Sequence, residues 1–286
     1  EEIFRVARET GYLSANAETK IRLVIFKKNG QIFEETPIFQ QMIEGIEEEC
    51  HRLGYEMVIS HVDQRNPNYQ KQVRDLLEEQ GVGIILLGTE MMDGDLSLYR
   101  NASCPVLLLD HWTESMDFNS VLINNADAAR AITEHLLDNG HREVGYLRGN
   151  YRIKAFRSRF IGFQTALKKY KVPYKEEYTV TVGTYMSTAC QDMLEYLKKK
   201  PKLPTAFFAD NDIIALGAMK ALQEMGYRIP EDISIVGFDD LTFSEISSPP
   251  LTTLRVEKRE MGKMAVRRLV ELIDGIGTST VTKIQV

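Results

Sequence analysis

The sequence predicts an α/β protein built from two doubly wound parallel-sheet subdomains. From residue 21 onward, short runs rich in Val, Ile and Leu alternate with segments of helical period. The apolar runs are continuous, which is typical of parallel strands buried on both faces. Eight such runs would make one very wide sheet, and 286 residues suffice for two domains of roughly 150 residues each. A ligand cleft between the two subdomains is the expected consequence.

The elements follow one another in a regular order. The predicted strands are IRLVIF, EMVISHV, GIILLG, PVLLLDH, SVLINN, EVGYLRG, TAFFADN and ISIVGFD. Between the first two, apolar residues from Phe39 to Leu53 recur at helical spacing before Gly54, a residue type that ends helices. The same pattern precedes Gly140 and Gly226. Repeated strand, helix, strand order indicates right-handed crossovers with helices on both faces of each sheet.

Composition limits the partners of the chain. A net charge of -6 repels nucleic acid at long range, so contact with DNA must come from a local basic element or from residues outside this chain. Cys50, Cys104 and Cys190 lie far apart without a CxxC pair, which favours reduced thiols in a cytoplasmic protein. No apolar run approaches the roughly 20 residues that cross a bilayer, so we expect no membrane span.

Polar residues end four of the predicted strands. In open parallel sheets, ligands bind outside the carboxyl ends of the strands. The residues at these ends are Asp110 and His111, Asn124 and Asn125, Asp210 to Asp212, and Asp239 and Asp240. Their carboxylates and amides suit a polyhydroxylated ligand. The alternative is that they cap the following helices, which is strongest for Asn125, Asp127 and Asp212 because a helix follows at once.

A basic residue and three rings complete the predicted site. Arg159 precedes Gly162 by three residues at the predicted start of a helix, and its planar fork can bridge two ligand oxygens. An exposed arginine or an ion pair is the alternative interpretation. Phe39, His111 and Phe208 can stack on a ligand, although isolated aromatic residues on apolar faces more often belong to the core.

Motifs for catalysis and metal binding are missing from the sequence. It contains no HExxH, GxxxxGK[ST] or GxSxG motif, and no GxGxxG after a strand. The five histidines show no metal-ligand spacing. Lys198, Lys199, Lys200 and Lys202 fall at a predicted helix end. Their charges there complement the helix dipole, and this interpretation is favoured over a DNA-binding patch. We therefore expect no enzymatic activity, no metal and no cofactor.

Several longer segments carry a family resemblance. They are IFQQMIEGIEEECHRLGY, VGIILLG, PVLLLD, VLINNADAARAITEHLLDNGHREVGYLRG, RSRFIGFQTAL, PTAFFADNDIIALGAMKALQEMGYRIPEDISIVGFDD and SPPLTTLRVEKREMGKMAV. Together they cover most of residues 38 to 275, and the last two are the most specific. In these segments the chain resembles transcriptional regulators of the LacI/GalR family.

The resemblance implies a periplasmic-binding-protein-like type I fold. The N-terminal effector subdomain would comprise residues 21–124 and 257–275, and the C-terminal one 125–254 and 276–286. The effector contacts that the resemblance implies are Phe39, Asp110, Arg159, Phe208, Asn211 and Asp239. Asn124 stands where the family usually has Asp. Together with His111 from the strand-end analysis, these residues make up the predicted ligand-binding set.

Residues 1–20 resemble the remnant of a helix-turn-helix headpiece with its hinge. Ser14 and Ala15 replace the usual proline region, and only ETK separates Ala17 from the first strand. We therefore expect a homodimeric repressor that contacts operator DNA through a mostly missing headpiece. The alternative is the solute-binding protein of a sugar transporter, which shares the fold. An edge rich in carboxylates and amides with one arginine favours a sugar as the effector.

Overall fold

The chain divides into two units of similar size. The computed structural model describes residues 20–33, 38–78, 83–115, 117–275 and 280–286. Within these ranges, the first unit takes 20–30, 39–123 and 257–286, and the second takes 31–38 and 124–256. The predicted headpiece remnant, except for Lys20, lies outside the described residues. Each unit is therefore built from segments that are distant in the sequence.

A six-stranded parallel sheet forms the centre of the first unit. Its strands are β1 (Lys20–Lys27), β2 (Glu56–Asp63), β3 (Gly83–Leu87), β4 (Val106–Leu109), β5 (Asn119–Leu122) and β10 (Lys283–Gln285). The order is β10-β5-β4-β3-β1-β2, so the winding direction reverses between β1 and β3. The helices of this unit are α1 (Ile38–Arg52), α2 (Tyr69–Glu78) and α8 (Lys258–Ile273), with a 3₁₀ helix at Asp93–Tyr99.

The second unit contains a four-stranded parallel sheet. Its strands are β6 (Val144–Gly149), β7 (Thr179–Val182), β8 (Ala206–Ala209) and β9 (Ser234–Val236), in the order β7-β6-β8-β9. Its helices are α3 (Asn125–Asp138), α4 (Lys154–Lys169), α5 (Met186–Lys198), α6 (Asp212–Glu224) and the short α7 (Thr242–Ile246), with a 3₁₀ helix at Glu176–Tyr178. Helix α3 packs on α4 and α5 packs on α6. The winding direction reverses between β6 and β8, where such folds bind ligands.

Apolar side chains of the strands and helices form the cores, as the continuous Val, Ile and Leu runs predict. In the second unit, Leu147, Val182 and Phe207 of the sheet pack with Met193 and Ile214 of α5 and α6. In the first unit, a separate cluster surrounds Phe26, Leu86, Leu108 and Tyr99. The strands are thereby buried, and the loops that carry the candidate site residues begin at their carboxyl ends.

The C-terminal tail corrects one predicted domain assignment. Residues 276–286 were expected in the second subdomain, but β10 pairs in parallel with β5 in the first unit. The Asn119 Oδ1 atom explains this placement: it accepts hydrogen bonds from Thr282 N at 3.0 Å, from the Thr282 hydroxyl at 2.9 Å and from Arg268 Nη2 at 3.0 Å. The described part of the tail therefore belongs to the first unit.

A second correction concerns the segment after β1. Residues 31–33 were expected in the first subdomain, yet they group with the second unit. The Thr184 hydroxyl of that unit donates to Gln31 Oε1 at 3.4 Å. The chain therefore leaves the first unit at Gly30, directly beyond the carboxyl end of β1.

Candidate functional site

Arg159 is the centre of a polar network at the carboxyl edge of the second sheet. It lies in the second turn of α4, not at its start, and is only 3% exposed. Its Nε donates to Asn125 Oδ1 at 2.8 Å, its Nη1 to the Asp210 carbonyl at 2.6 Å and its Nη2 to Asp239 Oδ1 at 3.2 Å. The guanidinium also lies 3.7 Å from the centre of the Phe238 ring. A cation in contact with a ring face gains electrostatic attraction and is held in one orientation.

Asp239 provides the acidic partner of this arginine. It follows β9 in a turn where both Asp239 and Asp240 have positive φ angles, 120° and 52°. Residues other than glycine rarely adopt this region, and strain of this kind is concentrated at functional sites. The Asp239 carboxylate is nearly as buried as the guanidinium that it contacts. The fold thus brings together Arg159 and Asp239, which were predicted separately as ligand contacts, and the ion pair given as the alternative for Arg159 is present.

Asp210 is a fully buried acid of the same edge. Its carboxylate accepts hydrogen bonds from the Tyr146 hydroxyl at 2.5 Å and from Gly149 N at 2.8 Å, and it pairs with Arg152. Burial raises the pKa of Asp210, while the charge of Arg152 and these hydrogen bonds oppose that change. Burial and the neighbouring carboxylate raise the pKa of Tyr146 well above its usual range.

Sequence reasoning did not single out Arg152. One sequence signal could have identified it: it follows the predicted strand EVGYLRG closely. The structure adds that β6 borders the point where the strand order reverses. The strand order itself becomes known only from the structure.

Of the three asparagines near α3 and α6, two have local partners and one belongs to the arginine network. Asn211 accepts a hydrogen bond from Ile214 N at 3.0 Å and so caps α6, while its neighbour Asp212 does not act as the cap. Asn125, for which capping was the main alternative, instead accepts from Arg159. The Asn124 amide donates to Asp127 Oδ2 at 3.1 Å. Asn125 therefore belongs to the arginine network. The side chain of Asn211 bonds to the backbone of α6, and that of Asn124 bonds to the exposed Asp127.

Phe208 is buried in an aromatic cluster of the second unit. It is 0% exposed, and its ring meets Tyr146 edge to face at 5.5 Å and Phe163 at 6.2 Å. Alternation along β8 directs this side chain towards α4, where the aromatic rings pack together. This packing favours the core role that isolated aromatic residues usually have, and a contact between Phe208 and a ligand stays a prediction.

Three predicted residues lie in the first unit. Asp110 follows β4 with φ 57°, is largely buried and accepts a hydrogen bond from the Thr89 hydroxyl at 2.6 Å. His111 is fully buried, with Nε2 at 3.9 Å from Asp93 Oδ1. Phe39, in the first turn of α1, is also buried. Asp110 and His111 share the carboxyl edge of the first sheet, as the strand-end analysis predicts.

Glu90 is a buried acid that sequence reasoning missed. Its Oε2 accepts hydrogen bonds from three successive backbone amides, Lys28 N at 2.8 Å, Asn29 N at 3.1 Å and Gly30 N at 2.9 Å. Successive amides of this kind form an anion-binding concavity, and the carboxylate occupies it. Its position just beyond β3, which borders β1, was the available signal. Glu90 therefore fixes the loop that follows β1.

The edge of the second sheet is suited to binding a polar solute without covalent chemistry. It combines a guanidinium, carboxylates and an amide within one hydrogen-bonded network. Within the described ranges, no group of three or more His, Cys, Asp or Glu residues could hold a metal ion. In the same part of the chain, no helix has the length and apolarity that spanning a bilayer requires.

Comparison with known proteins agrees with this class of site. Residues 133–285 match the family model described as a periplasmic binding protein-like domain. The chain is 33% identical over 241 residues to the HTH-type transcriptional repressor PurR of Mannheimia succiniciproducens, covering 84% of this chain and 72% of the relative. It is 29% identical over 276 residues to the ribose operon repressor of Haemophilus influenzae, covering 96% and 82%.

Solved structures give the same result. A putative LacI transcriptional regulator from Bacillus cereus subsp. cytotoxis matches with a TM-score of 0.82 at 28% identity, covering 94% of this chain and 95% of that one. The lac repressor dimer bound to operator and the anti-inducer ONPF also matches with a TM-score of 0.82, at 25% identity, covering 98% and 94%.

Fold and site together define an effector-binding core of the periplasmic-binding-protein-like class. The chain belongs to the LacI/GalR family of transcriptional regulators. Its relatives are repressors and not enzymes, and the transporter alternative is not favoured.

Proposed function

We propose that this regulator binds a neutral sugar at the carboxyl edge of its second sheet and that binding changes its affinity for operator DNA. The observation that carries the proposal is the buried Arg159, which uses three of its five N–H donors in hydrogen bonds to described residues and so has two more to offer a ligand. A guanidinium with a fixed plane can bridge adjacent hydroxyl oxygens. The network therefore orients donors before a ligand arrives.

The charges at this edge favour an uncharged ligand. Two arginines, Arg152 and Arg159, are matched by two carboxylates, Asp210 and Asp239. An anionic or cationic effector would leave an uncompensated charge in a buried network, which is costly. The similarity to a ribose operon repressor agrees with a carbohydrate. In the first unit, we propose Phe39, Asp110 and His111 as further effector contacts.

Operator binding and dimerisation belong to the same proposal. The lac repressor match is a dimer bound to operator, and two-fold symmetry pairs two half-sites of DNA. In the second unit, α7 exposes Phe243 and Ile246, which are 48% and 73% accessible. They border a cavity of about 270 Å³ together with Leu216 and Met219 of α6. We propose this surface, called the α7 face below, as part of a homodimer interface. We also propose that the regulator acts in the cytoplasm.

A thermal-shift panel tests the effector class. The panel contains D-ribose, D-galactose, D-glucose and cellobiose, a sugar phosphate, and the nucleobases hypoxanthine and guanine. We expect a carbohydrate to raise the unfolding midpoint, because a ligand at 100 times its Kd adds about 2.7 kcal/mol to the stability of the protein that binds it. A shift with a nucleobase alone would reject the sugar proposal.

A matched pair of variants tests the role of Arg159. Arg159→Lys keeps the charge but loses the planar fork, so we expect the ligand-induced shift to disappear. Arg157→Lys, two residues away on the exposed side of α4, should keep the full shift. Equal shifts in the two variants would show that Arg159 does not hold the effector.

A further inference from the structure

Asp212, the first residue of α6, lies next to the proposed effector site at the carboxyl edge of the second sheet and hydrogen-bonds to a distant loop. Its carboxylate is fully buried. Oδ2 accepts hydrogen bonds from Leu241 N at 2.9 Å and from the Ser244 hydroxyl at 2.6 Å, and Oδ1 accepts one from the Thr253 hydroxyl at 2.5 Å. Three donors from residues 29 to 41 positions away converge on one acid. This is a different role from the helix cap that the sequence suggested.

The loop that Asp212 holds, which runs from residue 239 to 244, contains the two strained residues of the site. Asp239 and Asp240, with φ angles of 120° and 52°, directly precede Leu241. Strained backbone persists only where the surrounding structure holds it in place. The Thr253 hydroxyl donates to Asp212 and also accepts a hydrogen bond from Asp240 N at 3.4 Å. The Asp212 carboxylate therefore holds the Leu241 amide directly and the Asp240 amide through Thr253.

Backbone hydrogen bonds hold the remainder of the turn. Asp239 N donates to the Leu254 carbonyl at 3.0 Å, and Asp212 N donates to the Phe238 carbonyl at 3.0 Å. A side chain at Gly237 would overlap Asp212 Oδ1, so the turn passes close against this carboxylate. The two strained residues are thus enclosed between Asp212 on one side and residues 253 to 255 on the other.

We propose that Asp212 is a positioning residue for effector binding: its carboxylate holds residues 239 to 241 so that the Asp239 carboxylate faces Arg159. The inference rests on the proposed function, because Asp239 is a ligand residue only there. Asp212 itself lies behind the turn and makes its contribution through Leu241, Ser244 and Thr253.

Two kinds of variant test this role. Asp212→Asn removes the charge, and Thr253→Val removes the bridging hydroxyl while keeping the shape of the side chain. Thr253→Ser keeps the hydroxyl and serves as the conservative rescue. Thr165→Val, at an exposed threonine of α4 whose hydroxyl donates to the Ile161 carbonyl of the same helix, is the matched control. If Asp212→Asn fails to fold, the Thr253 series carries the test.

Amide hydrogen exchange reads the position of the turn without a ligand. We expect exchange at Asp240 and Leu241 to rise about tenfold in Asp212→Asn, and at Asp240 by a similar factor in Thr253→Val, because a hydrogen bond to or through a charged group is lost. Thr253→Ser and Thr165→Val should match the wild type. Unchanged exchange in Asp212→Asn and Thr253→Val would overturn the proposal.

The carbohydrate panel then separates positioning from simple stabilisation. A residue that only stabilises the fold lowers the midpoint of the free protein but leaves the ligand-induced shift intact. We expect Thr253→Val to weaken carbohydrate binding by about tenfold and Thr253→Ser to restore it. An intact shift in Thr253→Val would reject the positioning role. If no carbohydrate shifts the wild type, the sugar proposal fails, and the exchange data still decide whether Asp212 holds the turn.

Discussion

Arg159 Nη2 donates to Asp239 Oδ1 at 3.2 Å, although the two residues are 80 positions apart in the chain. Both side chains are 4% exposed, so the pair is almost fully desolvated. A buried pair of this kind adds little net stability when complete, but either charge alone is costly. Arg159 and Asp239 must therefore be replaced together if no unpaired charge is to remain buried.

Removing one member of this pair should destabilise the second unit. We expect Asp239→Ala to lower the free energy of unfolding by about 3 kcal/mol, because Arg159 would keep a buried charge without its partner. Urea denaturation measures this change. The double variant Asp239→Ala with Arg159→Met should recover part of the loss, whereas equal stability of the wild type and Asp239→Ala would contradict the account.

Glu90 should control the loop after β1. In Glu90→Gln the neutral amide is a weaker acceptor for three successive backbone amides, so we expect a loss of about 1–2 kcal/mol in unfolding free energy. Exchange at Lys28, Asn29 and Gly30 should accelerate at the same time. Glu78→Gln makes the same chemical change at an exposed glutamate. It should change neither the free energy of unfolding nor the exchange rates of these three amides.

Glu49 should make the stability of the first unit depend on acid pH. Burial alone would raise the pKa of Glu49, but hydrogen bonds from Arg52 and Arg267 outweigh it and lower the pKa from 4.5 to about 2. A lowered folded-state pKa stabilises the protein above the unfolded pKa, and this contribution is lost as the pH falls through the folded value. We expect about 2 kcal/mol at neutral pH, reduced because both arginines are half exposed.

The measurement compares wild type with Glu49→Gln by chemical denaturation at several pH values. The difference in unfolding free energy should be constant above about pH 5 and should shrink as the pH approaches about 2. A difference that does not change with pH would show that the stabilisation is not ionic.

Gly162 should be needed for the contact between α3 and α4. An added Cβ would overlap the Ala126 carbonyl and press against Ala129 Cβ at 2.9 Å. We expect Gly162→Ala to destabilise the protein by about 1–3 kcal/mol, as overpacked cores do, despite the better helix propensity of alanine. Thermal unfolding measures the effect. At Gly94 a Cβ would meet nothing within 4 Å, so a similar loss in Gly94→Ala would argue against the steric explanation.

The α7 face should decide whether the chain dimerises. We expect Ile246→Glu to weaken self-association by at least about tenfold, because a charge would be desolvated in an apolar interface. Sedimentation velocity across a concentration series measures the association. Ile161→Glu, at an isoleucine of α4 that is 58% exposed, is the control and should associate like the wild type. Equal association of the two variants would exclude the α7 face as the interface.

Much of the fold was predictable because the signals are local. Continuous apolar runs predicted eight strands, β1 to β6, β8 and β9, but not β7 or β10. Helical spacing before Gly54, Gly140 and Gly226 predicted helices whose ends have positive φ at those glycines. The residue types at strand ends predicted which acids gather at a sheet edge. These features depend on a few neighbouring residues, so a single sequence shows them.

The site was predicted less completely because its contacts are long-range. Arg159, Asp239 and Asp110 were predicted as ligand contacts from strand ends and from the family resemblance. Nothing local showed that Phe208 packs in the core or that Glu90 binds three amides. The chain's own order of residues determined the strands, the helices and the pool of polar groups at their ends. Only the tertiary structure decided which of these groups meet, because strand order, the parallel pairing of β10 with β5 and the burial of each side chain arise from contacts between residues far apart in the chain.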